Sequence, residues 1–120
     1  MSVSLFRYVP LSVHGMLEVL FAPVIMAAPL VLGMSPAATV VGFLIGAILL
    51  GLSLSLIDRS VVPLTAHAEF DYVLALFAVV AGVAIGIATG DVAATIFLVG
   101  VGVAQTALTA STRFSVPRGA

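Results

Sequence analysis

Long apolar runs separated by short polar breaks make up most of the chain. Four runs, at residues 13–32, 37–57, 70–88 and 92–110, are each near the ~20 residues a helix needs to cross a hydrocarbon core of ~30 Å. Gly33-Met34-Ser35-Pro36 divides the first two and Thr89-Gly90-Asp91 the last two. Both breaks have the residue types of tight turns, so the pattern predicts two antiparallel helical hairpins. A longer connection, residues 58–69 with Arg59 and Pro63, joins the hairpins. Residues 1–12 precede the first hairpin (13–57) and residues 111–120 follow the second (70–110).

Composition fixes the environment. Of 120 residues, 62% are hydrophobic and 8% charged, and the mean hydropathy is +1.36. That leaves too little polar surface to coat a water-soluble globule, so the expected fold is all-α, an integral membrane four-helix bundle. The charged residues include no lysine, and the net charge is −1. No basic surface can track a phosphate backbone, which excludes nucleic-acid partners. The absence of cysteine excludes disulfides, thiol catalysis and cysteine-ligated metal centres. Arg7, Arg59, Arg113 and Arg118 all fall on one side of the four spans. The positive-inside tendency then places both termini and the central loop in the cytoplasm. The first run is long for a secretory signal core, contains His14, Glu18, Pro23 and Pro29, and precedes no clear small-x-small cleavage site. Val116-Pro117-Arg118-Gly119 is similar to the remnant of a cleavable tag and is assigned no role.

The two hairpins read as a repeat. A shift of 53 residues lays His14 on His67, Glu18 on Asp71, Ala22 on Ala75 and Gly33 on Gly86; one inserted residue later, Phe43-Leu44-Ile45-Gly46 falls on Phe97-Leu98-Val99-Gly100. Each unit has two spans, so the copies enter the membrane from the same side as a parallel repeat. Small residues recur every four positions, Ala38, Gly42 and Gly46 on the second helix and Ala78, Gly82, Gly86 and Gly90 on the third. Such stripes let helix backbones approach closely where lipid supplies no hydrophobic drive.

With Pro29-Leu30-Val31-Leu32-Gly33 closing the first span and Phe43-Leu44-Ile45-Gly46 in the second, the hairpin unit resembles the SPW-repeat family of small bacterial membrane proteins. The resemblance implies duplicated two-span units in a bacterial plasma membrane, and it implies no particular activity. The chain departs from the family pattern at Ala28-Pro29-Leu30, where Ser-Pro-Trp is expected, and at Ala81-Gly82-Val83 in the second copy; it has no tryptophan.

Ionisable groups within spans are costly and therefore candidates for function. At 100° per residue, the pairs His14/Glu18 and His67/Asp71 each share one helix face, and Asp71 points along the seam of Ala78 and Gly82. Ser53, Ser55, Gln105, Thr106 and Thr109 fall at the same end of the other two helices. Three readings are open. The groups are interfacial residues that cap helix starts and hydrogen-bond one another near water, with the acids favoured by the helix dipole. Alternatively they form a proton-responsive cluster. In the third reading His14 and His67 ligate a haem or a divalent metal, with Glu18 and Asp71 in support.

Other chemistry finds no motif: there is no Walker-type loop, no His-Glu-x-x-His, no Gly-x-Ser-x-Gly elbow and no lipidation signal. Residues 2–10 and Phe114 with Arg113 read as interfacial anchors. The expected protein is non-enzymatic and acts by helix packing, as a homo-oligomer or an accessory subunit of a larger membrane complex. A small oligomeric transporter or channel, or a proton-responsive, haem-binding or metal-binding protein built on the His and acid cluster, is the alternative.

Overall fold

The protein is described by a computed structural model covering residues 7–56 and 63–114. Most of the N-terminal segment, the central loop around Arg59, and the tail with Arg118 and the Val116 to Gly119 stretch lie outside the described residues. Four helices follow one another: α1 (Leu11–Val31), α2 (Pro36–Leu54), α3 (Leu64–Thr89) and α4 (Val92–Ala110). Each is long and apolar enough to cross a membrane. Their outer faces carry exposed Leu20, Phe21, Leu30, Leu76, Ile87 and Ile96, a surface suited to lipid and not to water.

Local chemistry explains the helix ends. In the first turn, Gly33 takes φ 69°, while Met34 N–H bonds to the Pro29 carbonyl at 2.9 Å and Gly33 N–H to that of Leu30 at 3.3 Å. This is the paired C-terminal arrangement that satisfies the last carbonyls of a helix. Ser35 then caps α2, accepting from Ala38 N–H, with Pro36 in the first helical turn. In the second turn Gly90, at φ 73°, ends α3, and Asp91 caps α4 by accepting from Ala94 N–H at 3.0 Å. Gly90 is exposed and meets no neighbour, so its place is in the turn and not in the packing stripe expected for it. The Asp91 carboxylate also accepts from Ser35 N–H at 2.7 Å, which ties the two turns together across the bundle.

One boundary differs from the sequence expectation. The stretch 64–69, read as the end of a loop, is the first turn and a half of α3. Pro63 at the cap position, φ −61°, is preset for a helix start, and its lack of an N–H costs nothing there. Pro23 and Pro29 lie inside α1 without breaking it. Pro29 denies the Ile25 carbonyl its helical donor, and Gly42 brings the α2 backbone against that carbonyl.

Helix α1 packs along α2, and α3 along α4; between hairpins, α2 and α3 approach more closely than α1 and α4. The core is Ala22, Ile25, Ala38, Ile45, Leu49, Leu74, Ala78, Ile85, Ala94 and Leu98. Ala38, Gly42, Gly46, Ala78 and Gly82 are buried, as the small-residue stripes require, and Gly86 packs against Thr95. The buried positions match between hairpins in two registers. His14, Glu18, Ala22, Ile25 and Pro29 of α1 correspond to positions 53 residues later in α3, whereas Ala38, Gly42, Gly46, Leu49 and Ser53 of α2 correspond to Ala94, Leu98, Gly102, Gln105 and Thr109, 56 residues later in α4. Gly46 stands against the Ala22 carbonyl and Met26; Gly102 stands in the same way against the Ala75 carbonyl and Val79. Gly100, which the sequence shift pairs with Gly46, faces open space. The difference of three residues is taken up where α3 runs on past the level at which α1 ends.

Candidate functional site

His14 lies in the first turn of α1 and His67 in the first turn of α3; Glu18 and Asp71 follow one turn later on the same faces. Because both helices begin at the same end of the bundle, the four side chains converge there. All are 0–1% exposed. They bond to one another as expected, but they are enclosed and not near water.

The imidazoles and carboxylates alternate around a ring. His14 Nε2 is 3.0 Å from Glu18 Oε2 and 2.9 Å from Asp71 Oδ2, and His67 Nε2 is 3.2 Å from both Glu18 Oε1 and Asp71 Oδ2. Two of these contacts run along a helix and two cross between hairpins, so the ring joins α1 to α3. The other two helices support it. Gln105 Nε2 donates to Glu18 Oε2 at 2.7 Å, and Ser53 Oγ, 2.7 Å from the Leu49 carbonyl, is 3.1 Å from Glu18 Oε1. Thr109 Oγ1 is 3.5 Å from Asp71 Oδ2. Thr112 Oγ1 donates to the Leu108 carbonyl at 2.6 Å. Its single proton being spent, it accepts from His14 Nδ1 at 2.8 Å. Among the described residues, His67 Nδ1 and Asp71 Oδ1 are buried without a partner.

The segments flanking α1 and α4 close the site from the nearby end. Val9 N–H donates to the Ser111 carbonyl at 2.9 Å, Arg113 N–H to the Val9 carbonyl at 3.0 Å, and Arg113 Nη2 to the Tyr8 carbonyl at 3.3 Å. This short parallel pairing sets the Phe114 ring over both imidazoles, with centroids 5.0 Å from His14 and 5.9 Å from His67. Tyr8 to Pro10 and Phe114, read from the sequence as anchors, thus form a lid. On the lipid side, where α1 and α4 diverge, a crevice of about 530 Å³ between Phe21, Val24, Ile96 and Phe97 reaches inward to Glu18 and Gln105.

Of the supporting residues, Ser53, Gln105 and Thr109 stood out in the sequence as polar groups at the right end. Thr112 and Phe114 did not, because they reach the cluster only through the pairing of segments about 100 residues apart. Elsewhere, backbone donation from Ser35 and then Ala94 holds the Asp91 carboxyl below the usual carboxylate range. Compared with protein families, curated proteins and solved structures, the chain matches none.

Proposed function

We propose that the chain is a non-enzymatic multi-pass protein of a bacterial plasma membrane that works by helix packing, with itself or as an accessory subunit of a larger membrane complex. In this reading it is a duplicated hairpin, a parallel repeat with both termini and the central loop in the cytoplasm. The observation that carries the reading is the division of its surfaces. Large apolar side chains face outward along all four helices, while the polar groups are gathered inside one end and meet each other. Among the described residues, the buried side chains beyond Leu49 and Leu74 are apolar, and within them one copy shows no polar route across the membrane. The paired offsets of 53 and 56 residues in the buried positions support duplication, as does the resemblance of the hairpin to the SPW-repeat unit. The lipid bilayer and neighbouring membrane helices are then the surfaces it recognises.

A second reading, a small oligomeric transporter or channel, draws on the crevice between α1 and α4, because its base reaches Glu18 and Gln105. Native mass spectrometry of the protein extracted gently from its own membrane separates the two. Stoichiometric complexes with other membrane subunits support the accessory role. A pure homo-oligomer that also drives solute uptake into liposomes overturns it.

A further inference from the structure

We propose that His14, Glu18, His67 and Asp71 form a binding site for one divalent first-row transition-metal ion, held between α1 and α3. The proposal deepens the packing reading, since the ion would join the two hairpins at the ring already described.

Proton accounting points to it. The ring contains four N···O contacts of 2.9–3.2 Å but only two Nε2 atoms. Each Nε2 offers one N–H or one lone pair, so protons, whether on the imidazole or on a carboxyl group, can fill only one of its two contacts with an undivided hydrogen bond. His14 already carries a proton on Nδ1, because Thr112 Oγ1 has given its own to Leu108. Neutral His14 therefore turns a lone pair toward two carboxyl oxygens, a repulsive arrangement unless a carboxyl proton or a cation sits between them. Adding a second proton to each imidazole restores the balance at the cost of two buried cations, one of them with an unpartnered Nδ1–H on His67. A divalent ion bound by two neutral imidazoles and two carboxylates reaches the same zero net charge and satisfies all four contacts at once.

The geometry suits an ion of that class. One ligand atom from each residue can be chosen so that all four lie within 4.8 Å of one another. Zinc-to-nitrogen and zinc-to-oxygen bonds of about 2.0–2.2 Å allow two ligand atoms to stand at most about 4.4 Å apart, so the quartet encloses an ion after drawing in by a few tenths of an ångström. Two imidazoles with two carboxylates fit zinc, cobalt or iron better than calcium, which takes six to eight oxygens at longer range. Asp71 Oδ1, buried and unpartnered, is a spare oxygen for a fifth position. The surroundings are those of a supported site: Thr112 fixes the His14 tautomer and Gln105 holds Glu18. A haem has no comparable room. The imidazole centroids are 5.6 Å apart, and the two carboxylates fill the gap that a porphyrin plane needs.

The test uses the intact protein in detergent micelles, stripped with a chelator and shown to be helical by circular dichroism. Titration with Co2+ is expected to give visible absorption of low-symmetry cobalt, saturating at one ion per chain, and Zn2+ is expected to bleach it. Asp71→Asn and His67→Gln should abolish the signal. Because either variant risks misfolding, Thr112→Val is the second probe: it keeps all four ligands and should weaken binding by about 10- to 100-fold. A helical, stripped wild-type protein that takes up neither Co2+ nor Zn2+ overturns the metal site while leaving the packing role standing. Normal metal uptake by a protein that native mass spectrometry shows as a lone monomer has the opposite meaning.

Discussion

Alanine at Gly46 would set a methyl 2.7 Å from the Ala22 carbonyl oxygen and 2.9 Å from Met26 N. Both are backbone atoms, so no rotamer change relieves the contact. At Gly102 the new methyl would meet the Ala75 carbonyl at 2.6 Å and Val79 N at 3.3 Å. Ordinary contact begins near 3.4 Å, so each hairpin must open by about 0.7 Å at that level, and a gap of this size forfeits about a quarter to a half of the dispersion attraction between facing atoms. Overpacking of this kind costs roughly 1–3 kcal/mol, and the better helix propensity of alanine returns up to about 1 kcal/mol. Gly46→Ala and Gly102→Ala are therefore each expected to destabilise by roughly 1–2 kcal/mol. Gly51 and Gly100 face open space, and alanine there should be neutral or stabilising by up to about 1 kcal/mol. Reversible unfolding in mixed detergent micelles, followed by far-ultraviolet circular dichroism, measures all four. The reasoning fails if Gly46→Ala is as benign as Gly51→Ala. It fails in a different way if Gly100→Ala is damaging and Gly102→Ala silent, because that pattern would restore the register in which Gly46 matches Gly100.

Two further outcomes follow from the ends of the bundle. Hydrogen bonds from Ser35 and Ala94 favour the ionised Asp91, so its folded pKa lies below the ordinary 3.8; the stability it supplies is complete above that value and is lost as pH falls through the folded one. Asp91→Asn should lower the thermal midpoint at neutral pH and flatten its decline in acid, and an unchanged acid limb would sink the assignment. Phe114→Ala removes two aromatic contacts worth about 0.5–1.5 kcal/mol and unroofs the imidazoles. Labelling of His14 and His67 by diethyl pyrocarbonate should then accelerate while the helix content stays constant; equal labelling rates would mean that Phe114 is no lid.

The spans, the two turns and the shared faces of His14 with Glu18 and His67 with Asp71 are legible in the sequence because each is a short-range property. The burial of the cluster is not. It depends on α1 and α3 meeting across the bundle, and on Val9 pairing with Thr112 to bring Phe114 over the imidazoles. No local pattern encodes either event. The start of α3 was hidden by Pro63 and the polar residues after it, which resemble a loop until their partners are in place. The offset at which the buried positions of α2 and α4 match was obscured because apolar strings match one another at many offsets. Ser35 and Asp91, the two helix caps, are 56 residues apart, the same offset as the matching buried positions of the second helices. Polar caps locate a register better than a Phe-Leu-x-Gly string, since a cap occupies one position only.

That register exposes an asymmetry. Glu18 and Asp71 are equivalent, and each has a hydroxyl from its own hairpin nearby, Ser53 for Glu18 and Thr109 for Asp71. Glu18 also receives the amide of Gln105 from the other hairpin. The position equivalent to Gln105 is Leu49, which cannot donate, and Asp71 is the carboxylate left with an unpartnered oxygen. Leu49 is buried beside Leu74 and Ala75, one turn beyond Asp71 on α3. Leu49→Gln therefore places an amide at the position matching that of Gln105 in the other hairpin. A buried amide without a partner costs about 1–3 kcal/mol, and one that finds a charged acceptor recovers roughly 1.5–3 kcal/mol. The expected net change is within about 1 kcal/mol of zero, against a loss of more than about 2 kcal/mol for Ile45→Gln, which lies in the hydrophobic cluster one turn farther from Asp71. The same micelle unfolding assay compares them. Equal losses at positions 45 and 49 would show that Asp71 has no unmet demand for a donor, and the absence of its partner would then need a different cause.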